Sequence, residues 1–390
     1  MAPDDEVAMR YVDRKCNLMH ILLVGLHRFT QPSGLCRYTA NLFASLKTVE
    51  SLRVSLVLGQ WQKEYYERAL KLDVDDPDII WVALEQPAVS RYCWYLHGVP
   101  KLARKLNVSV VHAAFPMPFV KRWFACPIVT TMHDLYAYDA PGSIGFPNVW
   151  LNKAVLQQSI RSSDAIISIS QFARDSLCKW FPRLKERMPL PVIYQEVRRR
   201  TSEAADSIWP NRGPDDKFLL CVAQHRKNKN LDLIIQAYYK AIDAGVIDAM
   251  THLVIVGSEG AETRHLKSSV KQRTGVRFLS AIPDEQLAGL YKNCEALICA
   301  SSIEGFCLPV AEALSFSSRV VCSDIPILRE VAGEQGTYFA LEPRSTDALV
   351  EAIRESLKSS RHTRLRPALL QPNSGEEAVC VYRYALKEAS

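Results

Sequence analysis

The sequence predicts an α/β protein made of two doubly wound domains in tandem. Three observations carry this prediction. Short apolar runs of strand length alternate with helical spacing along most of the chain. The alternation breaks once near the middle and then restarts. At 390 residues the chain also exceeds one ordinary domain.

The first run, His20-Ile21-Leu22-Leu23-Val24-Gly25, has the unbroken hydrophobicity of a strand covered on both faces of a parallel sheet. A loop over 26–34 follows, then apolar residues at helical spacing over 37–43. Runs at 54–58, 108–112, 127–131 and 165–169 read as further buried strands with helical segments between them. Over 188–217 the pattern fails. Prolines stand at 189, 191, 210 and 214, and Arg198-Arg199-Arg200 forms a charged run read as solvated linker. The expected division is a first domain over 1–190, a linker over 191–215 and a second domain over 216–374.

Strands are then predicted at 218–222, 253–257, 276–279 and 296–299, with a helix over 231–244. A polar stretch over 359–374 precedes a last helical segment, 376–388, which is expected to rejoin the first domain as part of 375–390. Two such sheets, with the carboxyl ends of their strands facing a central cleft, place function on loops just after strands.

Composition narrows the class. Hydrophobic residues make up 48% and charged residues 23%, the balance of a globular chain. A net charge of +6 suits anionic substrates or an acidic membrane surface and is too weak to argue for nucleic acid. No run approaches the ~20 apolar residues of a membrane span, and the acidic start is unlike a signal peptide, so the expected location is cytoplasmic. Eleven cysteines are scattered singly without a C-x-x-C pair. They suggest neither a zinc site nor a disulfide framework and read as reduced, mostly buried small hydrophobes.

Chemistry concentrates in 301–314, which follows a predicted strand and opens a helix. Glu304 lies in the loop and Glu312 in the first turns of the helix, so both can face one ligand at different depths. Carboxylates accept paired hydrogen bonds from vicinal hydroxyls of the kind sugars and riboses present. The backbone N–H groups from Phe306 onward, at a helix N terminus, suit a diphosphate.

These residues resemble the E-x7-E signature of retaining glycosyltransferases with the GT-B fold, specifically family 4. The likeness extends over 276–343. It includes Asp284-Glu285-Gln286-Leu287-Ala288 and Leu290-Tyr291 before the motif, and Ser323-Asp324-Ile325-Pro326 and Leu328-Arg329-Glu330-Val331 after it. The resemblance implies that Glu304 binds donor-sugar hydroxyls, that Glu312 binds the ribose, and that the backbone of Gly305, Phe306, Cys307 and Leu308 holds the phosphates. Cys307 stands where the family usually has glycine, and Ser317-Ser318 replace a usual glycine before the next strand.

Three further loops are similar to family landmarks. In 225–231 a cationic turn matches the loop that grips the diphosphate. Lys229 fits the family lysine, while strict spacing puts Gln224 at the family arginine and Arg226 is expected to substitute. Thr131-Met132-His133-Asp134-Leu135 resembles the H-D-L loop in which a histidine contacts the donor sugar. At an ordinary imidazole pKa, His133 can act as neutral acceptor or cationic donor. The loop Gln31-Pro32-Ser33-Gly34 resembles the glycine-bearing first loop, with Gly34 placed by donor or acceptor, and 168–173 resembles a strand end opening a helix.

The resemblance implies transfer of a hexose-type sugar, mannose-like slightly favoured because GDP-mannose users often carry such an H-D-L loop. The donor is a nucleotide-diphosphate sugar and the acceptor a glycan or lipid-linked acceptor. Attack comes from the leaving-group face with retention. No cofactor and no metal are expected, since Lys229, Arg226 and the helix N terminus offset the developing charge. Arg91-Tyr92-Cys93-Trp94-Tyr95-Leu96 and the lysine-rich 101–106 offer a peripheral contact with an anionic membrane. A nucleotide-sugar epimerase on the same fold and a non-catalytic nucleotide-sugar-binding protein stand as alternatives.

Overall fold

The structure, a computed structural model, describes residues 18–28, 33–84, 89–143, 146–197, 217–271, 273–280, 282–359 and 374–388. The run Arg198-Arg199-Arg200 and the loop residues Gln31 and Pro32 lie outside them. Two compact units divide the chain. The first comprises Met1–Ile169, Ala173–Glu196 and Gln371–Ser390, and the second Ser170–Phe172 and Val197–Leu370.

Unit 1 holds six strands: β1 (Met19–Val24), β2 (Leu52–Gly59), β3 (Ile79–Val82), β4 (Val110–Ala113), β5 (Ile128–Met132) and β6 (Ala165–Ser168). They pair in the order β3-β2-β1-β4-β5-β6, every pairing parallel. Ile21, Leu22, Leu23 and Val24 of β1 are fully buried, as its central place between β2 and β4 requires. The helix Gly34–Lys47 covers one face with Leu42, Phe43 and Leu46.

The last helix, Ser374–Glu388, also packs in unit 1. Its Gly375 N–H donates to Ser45 Oγ at 2.9 Å, and Tyr382 OH meets His112 Nδ1 at 2.6 Å. Gly375 has a specific role, because a Cβ there would stand 2.6 Å from the Ser45 carbonyl oxygen.

Unit 2 repeats the plan with β7 (Phe218–Val222), β8 (His252–Val256), β9 (Val276–Leu279), β10 (Ala296–Cys299), β11 (Val320–Ser323) and β12 (Gly336–Phe339). The order is β12-β11-β10-β7-β8-β9, again all parallel. Counted from its own first strand, this is the arrangement of unit 1. The amphipathic helices Leu231–Asp243 and Thr346–Lys358 pack side by side on one face of the sheet, burying Leu233, Ile234, Tyr238, Leu349 and Ile353.

The prediction of two doubly wound sheets is borne out. The sequence reading named β11 only as the strand after Ser317-Ser318, without bounds, and omitted β3 and β12. Both are four-residue edge strands of mixed exposure, whose faces lack the continuous burial that makes a central strand stand out. In each sheet the strand order reverses between two central neighbours, β1 and β4 in unit 1 and β7 and β10 in unit 2. Open α/β sheets bind ligands at such a point, outside the carboxyl ends of the strands.

Candidate active site

In unit 2 the reversal point is flanked by the loops after β7 and β10, and these loops are laced together. Ser302 N–H donates to the Asn228 carbonyl at 2.9 Å. Asn230, left-handed at φ 49°, donates from Nδ2 to the Ala300 carbonyl at 2.8 Å. Asn230 also begins the helix Leu231–Asp243, so one residue turns the chain and ties the two strand ends. Asparagine tolerates this conformation better than most residues.

The lacing brings Lys229 and Glu304 into contact across 75 positions of sequence. Lys229 Nζ stands 2.5 Å from Glu304 Oε1, and Ser301 Oγ donates to the same oxygen at 2.7 Å. Both charged side chains are largely covered, at 18% and 10% exposure. Burial pulls the ammonium pKa down. Attraction to Glu304 outweighs it and holds Lys229 above the ordinary lysine value.

Beyond Glu304 the chain turns through Gly305, Phe306 and Cys307 into the helix Leu308–Ser315, whose second position is Pro309. Proline is well suited to the first turn, where its missing N–H costs nothing. Cys307 is the N-cap residue at φ 72° and ψ 65°, a left-handed conformation that glycine adopts without strain. The site therefore keeps a glycine-like backbone while carrying a thiol. Phe306 is buried and Leu308 partly so. Glu312, one turn on and half-buried, accepts from Tyr291 OH at 2.9 Å.

Cys307 Sγ lies 3.6 Å from Cys299 Sγ at the end of β10. Their shared hydrogen bond lowers the Cys299 pKa and raises that of Cys307. Arg226, which opens the one-turn 3₁₀ segment Lys227–Lys229, is exposed. The structure thus brings Lys229, Glu304, Ser301 and Cys307 together, with Glu312 on the helix that follows and Arg226 on the surface of the same loop.

A pair of glycines that the sequence reading did not single out shapes this end of the sheet. A Cβ on Gly257 would lie 1.9 Å from the Ala223 carbonyl oxygen, and one on Gly260 would lie 2.5 Å from that of His225. The loop after β8 can lie against the loop after β7 only without side chains there. The signal was Gly257-Ser258-Glu259-Gly260 directly after a strand.

In unit 1, His133 follows β5 and is buried, with Nε2 2.8 Å from the Ala114 carbonyl after β4. The Tyr38 ring meets it edge-on at 4.7 Å. Burial pushes its pKa down to about 4, so it is neutral at pH 7. This corrects the expectation that it could equally serve as a cation. The carbonyl fixes Nε2 as the protonated nitrogen. Gly34 begins its helix with open space where a Cβ would project, so local packing does not demand glycine there. The 91–96 segment is partly interior: Arg91 and Tyr95 are buried, and Tyr95 OH donates to the Leu26 carbonyl. Those two side chains therefore do not face a lipid surface.

Similarity to known proteins extends over most of the chain. The family model "Glycosyltransferase Family 4" matches residues 32–194, and "Glycosyl transferases group 1" matches residues 206–368. The chain belongs to the family 4, group 1 glycosyltransferases. Among curated relatives of this glycosyltransferase, O-antigen chain mannosyltransferase B of Escherichia coli is 27% identical over 240 residues. That alignment spans 59% of this chain and 61% of the relative. O-antigen chain mannosyltransferase RfbU of Salmonella typhimurium is 21% identical over 81% of this chain and 86% of its own. Among solved structures, Anabaena Alr3699/HepE in complex with UDP and glucose aligns with TM-score 0.65 and 14% identity. It covers 95% of this chain and 97% of its own. WaaG, a glycosyltransferase involved in lipopolysaccharide biosynthesis, aligns with TM-score 0.64 and 17% identity, covering 95% and 98%. These neighbours share the fold of this glycosyltransferase. Among the described residues, no helix is long and apolar enough to cross a membrane.

Proposed function

We propose that this glycosyltransferase moves a hexose, mannose-like by preference, from a nucleotide-diphosphate sugar to a glycan or lipid-linked acceptor with retention of anomeric configuration. The observation that carries the reading is the Lys229–Glu304 pair beside a helix N terminus, at the point where the strand order of unit 2 reverses. The names of the O-antigen mannosyltransferase relatives support mannose.

In this reading Glu304 holds donor-sugar hydroxyls and Glu312 the ribose. The backbone of Gly305, Phe306, Cys307 and Leu308 receives the diphosphate. Lys229, already charged and positioned, offsets the negative charge that grows as the glycosidic bond breaks, with Arg226 closing onto the same phosphates. These groups supply the positive charge without a metal. The acceptor attacks from the leaving-group face, and the departing phosphate takes its proton. The family resemblance gives His133, as a neutral ring, a contact with the donor sugar, and gives Gly34, the first residue of its helix, a place by donor or acceptor.

The test is a thermal-shift screen of nucleotide sugars, followed by transfer to mannose-terminated acceptors with the new anomeric proton read by NMR. A bound donor raises the melting temperature. Transfer with the donor's own anomeric configuration is the expected result. An inverted product refutes retention. Conversion of the donor without acceptor points instead to an epimerase, and binding without turnover points to a carrier.

A further inference from the structure

Cys299, Glu304 and Cys307 offer one ligand atom each, two sulfurs and a carboxylate oxygen, all within 4.8 Å of one another. We propose that these three residues form a site for a thiophilic divalent cation of the zinc class, and that its occupation shuts the donor site. The inhibitory part rests on the proposed donor reading; the metal site does not.

The geometry favours a metal over a disulfide. A tetrahedral ion with bonds of about 2.3 Å to sulfur separates two ligand sulfurs by roughly 3.8 Å. Here the sulfurs stand 3.6 Å apart. A disulfide needs them at about 2.05 Å, a much larger movement for two residues fixed at a strand end and a helix cap. The donor set, two sulfurs and one oxygen, suits zinc, cadmium or cobalt and disfavours magnesium and calcium, which take oxygen ligands.

Charge balance agrees. Two thiolates and one carboxylate bring three negative charges, and a divalent ion with the Lys229 ammonium brings three positive ones. The covered cluster is then neutral overall. Binding releases the two thiol protons to solvent. Lys229 keeps its contact with Glu304 Oε1 while the second carboxylate oxygen turns to the metal. Glu304 and the Cys307 cap are then withdrawn from the sugar and the diphosphate.

Sequence spacing hid this site. The ligands fall at intervals of five and three, with no C-x-x-C, and they meet only because the strand end and the helix cap lie side by side.

The reduced full-length chain is titrated with cadmium or cobalt alone while the thiolate-to-metal charge-transfer absorption is followed. One ion per chain and a band of two-thiolate intensity are expected. Cys299→Ser and Cys307→Gly should each weaken binding at least tenfold. The glycine variant keeps the fold because glycine accepts φ 72° without strain. The exposed Cys93 and Cys380 are common to all three proteins and cancel in the comparison. No band at a tenfold excess of metal, or an unchanged affinity in Cys307→Gly, overturns the site. A nucleotide sugar that binds by thermal shift should raise the apparent metal Kd in proportion to its concentration. If it binds and leaves the titration unmoved, the inhibitory claim fails. A metal band in a protein that binds no nucleotide sugar upholds the site and refutes the donor reading instead.

Discussion

Replacing Lys229 by methionine removes the charge and keeps the length of the side chain, leaving the Glu304 carboxylate covered with Ser301 as a remaining donor. Truncating one partner of a fully buried ion pair costs about 3–5 kcal/mol, because the other charge is stranded. The exposures of 18% and 10%, together with the Ser301 bond, reduce this to roughly 2–3 kcal/mol. At about 2–4 °C per kcal/mol for a domain of this size, Lys229→Met should lower the melting temperature of unit 2 by roughly 4–12 °C. Glu304→Gln should cost slightly less, since its amide oxygen still accepts from both donors. The double variant removes both charges and should return to within about 1 kcal/mol of the parent. Activity should follow a different rule. Each single variant and the double should lose roughly 10²–10³ in kcat/KM, because restored stability does not restore the charge facing the phosphates. Denaturant melts followed by circular dichroism, with a transfer assay on the same samples, complete the double-mutant cycle. Additive stability losses would refute the pairing, and recovered activity in the double variant would refute the catalytic role. The cycle should be insensitive to pH between 6 and 9. A lysine pKa held above its ordinary value contributes stability below that value and loses it only as pH climbs through the folded one.

Acid should act first on unit 1. His27, His112 and His133 are buried, and burial brings their pKa values to about 3, 3 and 4. Between these values and 6.5 the unfolded chain binds more protons. Stability should therefore be full above pH 6.5 and decline below it, by up to about 1.4 kcal/mol per pH unit for each histidine. Six of the seven tryptophans, Trp61, Trp81, Trp94, Trp123, Trp150 and Trp180, lie in unit 1, so tryptophan fluorescence reports mainly its melting, and an acid-indifferent signal down to pH 4 contradicts the burial argument. Tyr291→Phe removes the hydroxyl that orients Glu312. It should raise the donor KM roughly tenfold, about 1.4 kcal/mol, with little change in kcat; an equal fall in kcat would place Glu312 in the transition state instead. Gly257→Ala forces a Cβ against the Ala223 carbonyl and should lower stability by about 3 kcal/mol or more, read as a melting temperature; parental stability would mean the loops can part freely.

What the sequence disclosed follows from what each feature depends on. Central strands such as β1 and β7 were plain because a parallel strand covered on both faces must be apolar throughout, and β7 falls where the run predicted it. The edge strands β3 and β12 escaped because only part of each is buried. Glu304 and Lys229 could be placed on loops after strands, but their contact could not be seen, since nothing within either loop encodes a partner 75 residues away. Cys307 marks the limit from the other side. Its departure from glycine was visible as an oddity, whereas the backbone still holds the conformation that glycine favours, at φ 72°. The protonation state of His133 was beyond reach because it depends on burial and on a carbonyl from another strand.

The helix Ser374–Glu388 has a consequence for how the two units fold. Residues from both ends of the chain build unit 1, and its core histidine His112 finds its Tyr382 partner 270 positions later. Unit 2 is complete in the sequence by Leu370 and takes nothing from that helix. Unit 2 can therefore close without the last helix, whereas unit 1 without it lacks the contacts to Ser45 and His112. A chain truncated before residue 374 should hold a protease-resistant unit 2 beside a digestible unit 1, and equal resistance of the two units would refute that dependence.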